Sequence, residues 1–268
     1  VSNPFTDVTD ADVIFLIGAN PIGNHPVAAT FMKNAVKAGK KLILLDPRRT
    51  ELSRHATYNL QFRPDTDVAL LNSLMHVIIE EGLCNEKYIA KHTTDFEKLK
   101  ANVADYSPEK VAPICGIPAE TLREVARTFA TAEASIILWG MGISQHIHGT
   151  DNSRCLIALS LMTGQIGRPG TGLHPLRGQN NVQGTSYMGL IPMFFPDYKS
   201  VVNPEIKKWF EEFWGTSLNP KTGLTVVEIV DAVHSGEVHG IYVQGENPAM
   251  SDPNLNHARG ALTMLDHL

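Results

Sequence analysis

The sequence is poor in cysteine, in positive charge and in long apolar runs. Its 268 residues include three cysteines, Cys84, Cys115 and Cys155, which lie far apart and form no Cys-x-x-Cys pair. We therefore expect three reduced thiols, with no metal ligand and no iron–sulfur cluster within this chain. The net charge of −5 argues against nucleic-acid binding, which normally uses a basic surface. No apolar run approaches the roughly 20 residues that span a bilayer, so we expect no membrane contact.

The first two thirds of the chain alternate between strand and helix patterns. Four short apolar segments predict strands: 12–18, 41–45, 60–62 and 134–139. Four amphipathic segments predict helices: 26–38, 67–81, 118–130 and 152–163. This alternation predicts an α/β fold with a doubly wound, mostly parallel, Rossmann-like sheet over residues 1–178.

The last third of the chain, residues 179–268, differs in character. Positions 181–203 are irregular and rich in proline, methionine and aromatic residues, and helices are expected near 205–214 and 225–235. One further strand is predicted at 240–243. Because one strand cannot form a sheet by itself, we expect part of a second α/β domain, and a chain that is a fragment of a longer subunit.

Polar clusters follow the predicted strands at their carboxyl ends, where open α/β sheets bind ligands. These clusters are 18–25, 46–49, 64–67, 140–145 and 244–247. The first one, which includes Gly18 and His25, would let backbone amides and a helix N-terminus meet a phosphate. A capping or packing role for His25 remains equally open.

The second and third clusters contain the side chains that a guanine nucleotide would need. Asp46 could accept from a ribose hydroxyl, and Arg48 or Arg49 could neutralise a phosphate. Asp65 or Asp67 could accept from the exocyclic amine and the ring N–H of guanine. Structural roles stay open, because Asp67 could cap the following helix, Asp65 could belong to a turn, and the two arginines could be a solvated pair.

The segment 174–185 has the most informative composition in the chain. It contains Arg177, four side-chain amides and two glycines, with almost nothing that could build a core. Amides hydrogen-bond planar heterocycles, arginine binds a small carboxylate through two parallel bonds, and glycine lets backbone approach a ligand. The segment therefore predicts the wall of a site that binds a flat polar group beside an anion. In isolation, Arg177 could instead form a structural salt bridge.

Three histidines near these clusters are not expected to act directly. His146 and His148 follow Gln145 with no cysteine or acidic residue close in sequence, so we expect loop or helix-start residues rather than ligands. His174 lies three residues before Arg177, and we expect it to support that residue rather than to react.

Several segments together resemble the molybdopterin-dependent oxidoreductases, and in particular the large subunit of formate dehydrogenases. The resemblance covers essentially the whole chain, and its most specific segments are 138–142, 161–164, 177–184 and 245–248. Residues 46–48 and 76–81 agree with it. The run Arg-Gly-Gln-Asn-Asn-Val-Gln-Gly at 177–184 resembles formate dehydrogenases more than nitrate reductases.

The resemblance implies a fold of the formate dehydrogenase and dimethyl sulfoxide reductase type, and a molybdenum or tungsten ion held by two molybdopterin guanine dinucleotides. Residues 1–178 would be a guanine-dinucleotide-binding domain, and residues 179–268 part of a second cofactor-binding domain. One dinucleotide would contact Asn20, Asn24, Asp46, Arg48, Asp65 and Asp67. The other would contact Gly140, Met141, Gln145, Gln244 and Gly245. Further candidates for cofactor contacts are Gly18, His25, Gly178 and Gln179.

The resemblance also implies which reaction the full subunit performs and which of its functional groups lie outside this chain. Arg177 matches the active-site arginine that orients formate, and the full subunit would oxidise formate to carbon dioxide with two electrons passing to the metal. Electron-transfer subunits or domains would be its partners. The cysteine or selenocysteine that ligates the metal, and a 4Fe-4S cluster, would lie upstream of Val1, so we expect this chain alone to be inactive.

Two alternative functions and the compartment remain open at this point. A nitrate reductase-type enzyme would also use Arg177, and a non-catalytic nucleotide-binding module would have the same α/β build. A cytoplasmic location is expected, and a twin-arginine signal upstream would make it periplasmic.

Overall fold

The structure, a computed structural model, describes residues 2–268. It divides the chain into two units, Val1–Gly178 and Gln179–Leu268. The first unit contains a parallel sheet with helices on both faces, and the second is mainly helical. No helix among residues 2–268 is both long and apolar enough to cross a membrane.

The sheet of the first unit has five parallel strands. They are β1 Val13–Ile17, β2 Lys41–Leu45, β3 Tyr58–Leu60, β4 Ser135–Trp139 and β5 Gly172–Pro175. Their order is β3-β2-β1-β4-β5, and every neighbouring pair in this sheet is parallel. The direction of winding therefore reverses between β1 and β4. This arrangement confirms the predicted α/β fold with a doubly wound parallel sheet.

The helices of the first unit connect these strands. In chain order they are α1 Pro21–Asn24, α2 Pro26–Lys37, α3 Asp67–Glu80, α4 Glu86–His92, α5 Phe96–Val103, α6 Pro108–Cys115, α7 Ala119–Ala130, α8 Met141–Ser144 and α9 Gly149–Thr163. Short 3-10 helices occur at Phe5–Thr9 and Glu51–His55. Proline at the first helical position fixes the start of α2, because its φ suits a helix and its missing N–H would have no partner there.

Strand β1 illustrates why the sheet is covered on both faces. All of its residues are buried. Phe15 and Ile17 pack in one cluster with side chains of α3, α7 and α9, whereas Ile14 and Leu16 pack on the other face with Met32 of α2. Burying each such side chain stabilises the fold by roughly 1.5–3 kcal/mol. Alternate residues of one strand thus hold both helical layers.

Two strands of the sheet differ from the sequence prediction. β3 comprises Tyr58–Leu60 rather than 60–62, because its ladder with β2 ends at Leu60 and the N–H of Arg63 donates to the carbonyl of Cys115 at 2.8 Å. β5 is absent from the prediction, since Gly172–Pro175 has no apolar run. It is a strand because it pairs in parallel with Ile136–Trp139 of β4.

The second unit contains helices and a short hairpin. Its helices are α10 Val182–Tyr187, α11 Pro204–Trp214, α12 Val226–His234, α13 Pro248–Ser251 and α14 Leu255–Leu262. Two-residue strands β6 Phe194–Phe195 and β7 Lys199–Ser200 pair antiparallel, so the region predicted to be irregular has local order. The start of α12 is a capping box in which the side chains of Thr225 and Glu228 satisfy the free backbone donors.

The strand predicted at 240–243 is wrong. Gly240 forms a single parallel bridge with His267, and the N–H of Ile241 donates to the carbonyl of His267 at 3.0 Å. The apolar pattern is that of a strand, but a ladder needs a neighbour of several residues, and the part of the chain that the structure describes supplies only this one pair.

Candidate functional site

A cavity of about 450 Å³ opens at the carboxyl ends of the strands in the first unit. It lies where the winding of the sheet reverses between β1 and β4, which is where open α/β sheets bind ligands. The loops after four strands line it, together with Pro64. The lining residues are Gly18, Ala19, Asn20, Asn24, His25, Asp46, Pro47, Arg48, Pro64, Gly140, Met141, Gly142, His146, Leu176 and Gly178.

Three glycines bring the loops after β1 and β4 into backbone contact. Gly18 has a φ of +57°, and a Cβ atom there would lie 2.8 Å from the backbone carbon of Gly142. A Cβ atom at Gly140 or Gly142 would lie 2.8 or 2.7 Å from the carbonyl oxygen of Gly18. The N–H of Gly142 donates to that same oxygen at 3.0 Å. Side chains at these positions would separate the two loops, so the shape of the cavity depends on glycine.

Asn20 contributes a polar atom without a partner. Its backbone carbonyl accepts from the N–H groups of Gly23 and Asn24 at 3.1 and 3.0 Å, which fixes the turn into α1. Its side-chain Oδ1 is buried and has no hydrogen-bond partner within residues 2–268. A buried acceptor without a donor costs about 1–3 kcal/mol, and a ligand donor in the cavity would remove that cost.

Asp46 and Arg48 follow β2 at the same edge of the sheet. Asp46 is 5% exposed, and its Oδ1 accepts from the N–H of Arg48 at 2.8 Å. Its other carboxylate oxygen is not used in this turn and can accept from a ligand hydroxyl. The Arg48 guanidinium is exposed and forms no hydrogen bond or ion pair with the described residues, so a cation with free donors lines the cavity.

His146 links the loop after β4 to the loop after β3. Its Nδ1 lies 2.7 Å from Oδ1 of Asp65, and its Nε2 lies 2.7 Å from the carbonyl oxygen of Gly142. Both partners only accept hydrogen bonds, so the two contacts are satisfied together when both ring nitrogens carry protons. Partial burial acts to lower the pKa of His146, but these hydrogen bonds and the nearby Asp67 outweigh it and hold the pKa above its usual value.

His146 is the lining residue with a polar side chain that the sequence analysis did not assign to the site. Its neighbours in sequence contain no acidic residue, and the partner that gives it a role, Asp65, is 81 positions away. A short sequence window therefore has no signal for this contact. Asp65 adopts a φ of +66°, which turns the chain into α3. Both of the roles weighed for it, turn residue and polar contact, are thus compatible with its position.

Asp67 is the first residue of α3 and is 3% exposed. Burial raises the pKa of its carboxyl group above the usual value. The N-cap of the helix is Thr66, whose hydroxyl donates to the carbonyl of Arg63 at 2.6 Å, so the capping role considered for Asp67 is wrong.

Arg177 lies just beyond β5, between two cavity-lining residues. The N–H of Leu176 donates to the carbonyl of Trp139 at 2.7 Å, which continues the β4–β5 pairing. The carbonyl of Arg177 accepts from Nε2 of His25 at 2.5 Å. The Arg177 side chain is exposed and has no hydrogen bond or ion pair among residues 2–268. The structural salt bridge considered for it is therefore absent from the described part of the chain.

The remaining predicted residues fall outside the lining of this cavity. Among residues of the first unit, these are Asp65, Asp67, Gln145 and Arg177. Gln179, Gln244 and Gly245 belong to the second unit, where all three are exposed. Burial lowers the pKa of His174, and its Nδ1 is buried without a hydrogen-bond partner in the described chain.

The chemistry of the lining suits binding better than bond cleavage. Arg48 is cationic, His146 has a raised pKa, Asp46 offers a carboxylate oxygen, and Asn20 offers a buried acceptor. Within residues 2–268, no group of three or more His, Cys, Asp or Glu side chains could hold a metal ion. The cysteines Cys84, Cys115 and Cys155 are unpaired. The cavity can therefore hold a phosphate-bearing ligand with hydroxyl groups, and any redox metal needs other ligands.

A comparison with protein families assigns the whole chain to one model. Residues 1–268 match the model described as Molybdopterin oxidoreductase.

The curated relatives that match this chain include formate dehydrogenases. The chain is 42% identical over 269 residues to the F420-dependent formate dehydrogenase subunit alpha of Methanocaldococcus jannaschii, covering 100% of this chain and 39% of that protein. It is 38% identical to formate dehydrogenase H of Escherichia coli, covering 99% of this chain and 37% of that protein. A putative formate dehydrogenase of Staphylococcus aureus is 37% identical, with 27% of its length covered. The chain thus spans about two fifths or less of these relatives.

Among solved structures, acetylene hydratase from Pelobacter acetylenicus has a similar fold. The TM-score is 0.70 at 21% sequence identity, and the match covers 98% of this chain and 40% of that protein. At this identity the likeness concerns the fold alone.

Proposed function

Since the chain belongs to the molybdopterin oxidoreductase family, we propose that it is the central cofactor-binding portion of a formate dehydrogenase large subunit. The relatives named formate dehydrogenase align with essentially all of it. The complete subunit would oxidise formate to carbon dioxide and pass two electrons onward. When bound, a bis-molybdopterin guanine dinucleotide with molybdenum or tungsten would supply the two-electron chemistry.

One observation carries the cofactor assignment. The cavity at the β1–β4 reversal places a buried, unpartnered acceptor, a carboxylate and a free guanidinium around one space: Asn20, Asp46 and Arg48. A guanine dinucleotide offers donors to the first, ribose hydroxyls to the second and a diphosphate to the third. The close approach of Gly18 and Gly142 places the backbone of both loops in the cavity wall, where amides could meet the phosphates. The residues present therefore fit such a ligand.

The base of that dinucleotide needs a carboxylate that can accept from two N–H groups of guanine. Asp65 is the better candidate, because its side chain is 66% exposed, whereas Asp67 is 3% exposed. His146 binds Oδ1 of Asp65 and leaves the second carboxylate oxygen for a ligand. Asn24, which lines the cavity, would complete the contacts of this dinucleotide.

The assignments for the second dinucleotide rest on the resemblance. In the first unit, Gly140, Met141 and Gly178 line the cavity and Gln145 follows α8. In the second unit the candidates are Gln244 and Gly245, and Gln179 is a candidate contact for either dinucleotide. We propose accordingly that residues 1–178 form one dinucleotide-binding domain and residues 179–268 part of another.

Arg177 would orient the substrate. Formate is a one-carbon anion with almost no surface to bury, so a planar guanidinium that forms two parallel bonds supplies much of its orientation. The free side chain of Arg177 meets that requirement. The metal-ligating cysteine or selenocysteine and a 4Fe-4S cluster would come from the rest of the subunit. Electron-transfer partners and a cytoplasmic location complete the proposal.

The deciding experiment uses the full-length product of the gene that encodes this chain, purified without oxygen. Molybdenum and tungsten would be measured alongside formate-dependent reduction of an artificial dye. Bound metal with formate activity supports the proposal. Bound metal with nitrate activity and no formate activity would replace it with a nitrate reductase-type enzyme. Absence of both metals would favour a non-catalytic nucleotide-binding module.

A single substitution tests the role of Arg177. Arg177→Lys keeps the charge but loses the planar fork, so we expect formate turnover to fall by about 100-fold while metal and pterin content stay unchanged. Arg154→Lys is the matched control, since Arg154 is an exposed arginine on α9 that pairs with Asp151. Normal turnover of the Arg177→Lys enzyme would refute the assignment.

A further inference from the structure

The backbone around Arg177 meets neighbouring loops at three points. Before it, the N–H of Leu176 donates to Trp139 at 2.7 Å and joins this segment to β4. At Arg177 itself, the carbonyl accepts from Nε2 of His25 at 2.5 Å. After it, Gly178 lies so close to Met141 that an added Cβ would be 3.1 Å from that side chain. The guanidinium therefore extends from a peptide whose position is set by the loops after β1 and β4.

His25 is itself held firmly. Its N–H donates to the carbonyl of Pro21 at 2.8 Å, and its own carbonyl accepts from the N–H of Ala29 at 2.9 Å. It is the residue at which α1 ends and α2 begins. A peptide carbonyl can only accept, so Nε2 of His25 must carry a proton in this contact. The ring joins the cavity wall to the peptide of Arg177 across 152 positions of sequence.

We propose that His25 is a positioning residue for Arg177. By holding the carbonyl of Arg177, it sets the point from which the guanidinium reaches formate, and it couples that arginine to the loop that lines the cofactor cavity. This inference rests on the proposed function. It also gives His25 a different role from the phosphate contact predicted from the sequence, because the Nε2 proton is already used within the protein.

Hydrogen exchange on the full-length protein, followed in the peptides of this chain, tests the contact apart from activity. We compare wild type with His25→Leu, which removes the donor, and with His25→Gln, whose side-chain amide can donate in its place. In His25→Leu, the amides from Gly172 to Gly184 should exchange at least several-fold faster, whereas those of α9 stay unchanged and report an intact fold. His25→Gln should exchange like wild type. Equal protection of this segment in all three proteins would overturn the proposal.

The full-length enzyme tests whether the contact serves the reaction. In His25→Leu we expect kcat/KM for formate to fall by about tenfold or more, with KM raised, because a misplaced guanidinium binds and orients a small anion poorly. Metal and pterin content should remain at the wild-type level, and His25→Gln should recover most of the loss. A loss of cofactor with unchanged formate KM would overturn the proposal and make His25 a cofactor ligand.

The two proposals fail in different ways. If Arg177→Lys shows normal formate turnover, Arg177 has no role in the reaction and the positioning role of His25 is refuted with it, even where hydrogen exchange confirms the contact. If Arg177→Lys is impaired and His25→Leu keeps a normal formate KM, the function of Arg177 stands and only the inference about His25 is overturned.

Discussion

The two units of the chain differ in how completely they bury their apolar side chains. In the first unit, both faces of the sheet are covered, and whole strands such as β1 are buried. In the second unit, the largest buried cluster is built around Phe195, Val201 and Phe210. Most of the exposed large hydrophobic side chains among residues 2–268 belong to this smaller unit, including Trp209 and Phe213.

This difference follows from backbone pairing. In the first unit, a parallel strand such as β1 has a neighbour on each side and presents its side chains to two helical layers. In the second unit, the hairpin of β6 and β7 and the bridge at Gly240 pair only a few residues, so helices such as α11 have little sheet surface against which to bury an apolar face. The cavity at the carboxyl ends of parallel strands therefore belongs to the unit whose strands are paired into a sheet.

The largest effect should come from truncating the core of the complete sheet. Phe15 is fully buried, and its ring packs against Phe129 with centroids 5.6 Å apart. Phe15→Ala should lower the free energy of unfolding of the first unit by about 4 kcal/mol. Phe210→Ala in the second unit should cost about 2 kcal/mol, because its small cluster can collapse around the space left. Native-state hydrogen exchange reports the two units separately. Equal losses in the two units would remove the distinction drawn between them.

The next largest effect concerns two glycines, one in each unit, that are both candidate cofactor contacts. Gly18 and Gly245 both have positive φ, +57° and +70°, but a Cβ atom at Gly18 would clash with backbone at 2.8 Å whereas Gly245 has nothing within 4 Å. Gly245→Ala should therefore lower the free energy of unfolding by about 1–2 kcal/mol, because only the strain of the left-handed conformation is added. Gly18→Ala should cost about 3 kcal/mol or more, since the clash adds to that strain. Chemical denaturation measures both.

A control at Gly82 separates the effect of the left-handed backbone conformation from the effect of lying in the first or the second unit. Gly82 lies in the first unit with a φ of +66° and free space around it, so Gly82→Ala should behave like Gly245→Ala. If Gly18→Ala is no worse than Gly82→Ala, the loops after β1 and β4 can separate at little cost, and their contact does not define the cavity.

The sequence analysis predicted the elements whose signals are local. The branched apolar run at Val13–Ile17 and the helical spacing at Asp67–Glu80 each produced the element expected. Gly172–Pro175 has no such signal, and its strand exists because β4 offers an edge. Gly240–Val243 has the signal but no ladder among the described residues. Long-range pairing decided both exceptions, and a local pattern does not contain it.

The candidate site also combines features that local sequence predicts with contacts that depend on long-range pairing. Asn20, Asp46 and Arg48 lie in the cavity lining, as expected of residues at the carboxyl ends of parallel strands. The contact of His146 with Asp65 joins residues that are distant in sequence, and so does the contact of His25 with Arg177. Residue type and position after a strand therefore predict which residues can approach a ligand. The hydrogen bonds that fix their directions depend on the folded chain.

The smallest effect we predict is the pH dependence from His146. Its pKa is raised in the folded protein, so its contribution to stability is complete below the usual histidine pKa of about 6.5 and is lost as pH rises through the higher folded value. The free energy of unfolding of the first unit should fall by about 1 kcal/mol or less as pH rises from 6.5 to 8.5, because the partner Asp65 is 66% exposed and solvent screens the pair. Asp67, whose pKa is raised from a much lower usual value, acts at more acidic pH.

Two variants, one in each unit, test whether this effect comes from His146. His146→Gln should remove the difference in the free energy of unfolding between pH 6.5 and 8.5, because glutamine can replace one hydrogen bond but does not titrate. His257 in the second unit also contacts a carboxylate, Asp231, at 2.9 Å, but its side chain is 39% exposed. An exposed pair contributes little, so His257→Gln should leave the free energy of unfolding of the second unit nearly unchanged. If His257→Gln rather than His146→Gln removes the pH dependence, the protonated bridge across the cavity loops is not what senses pH.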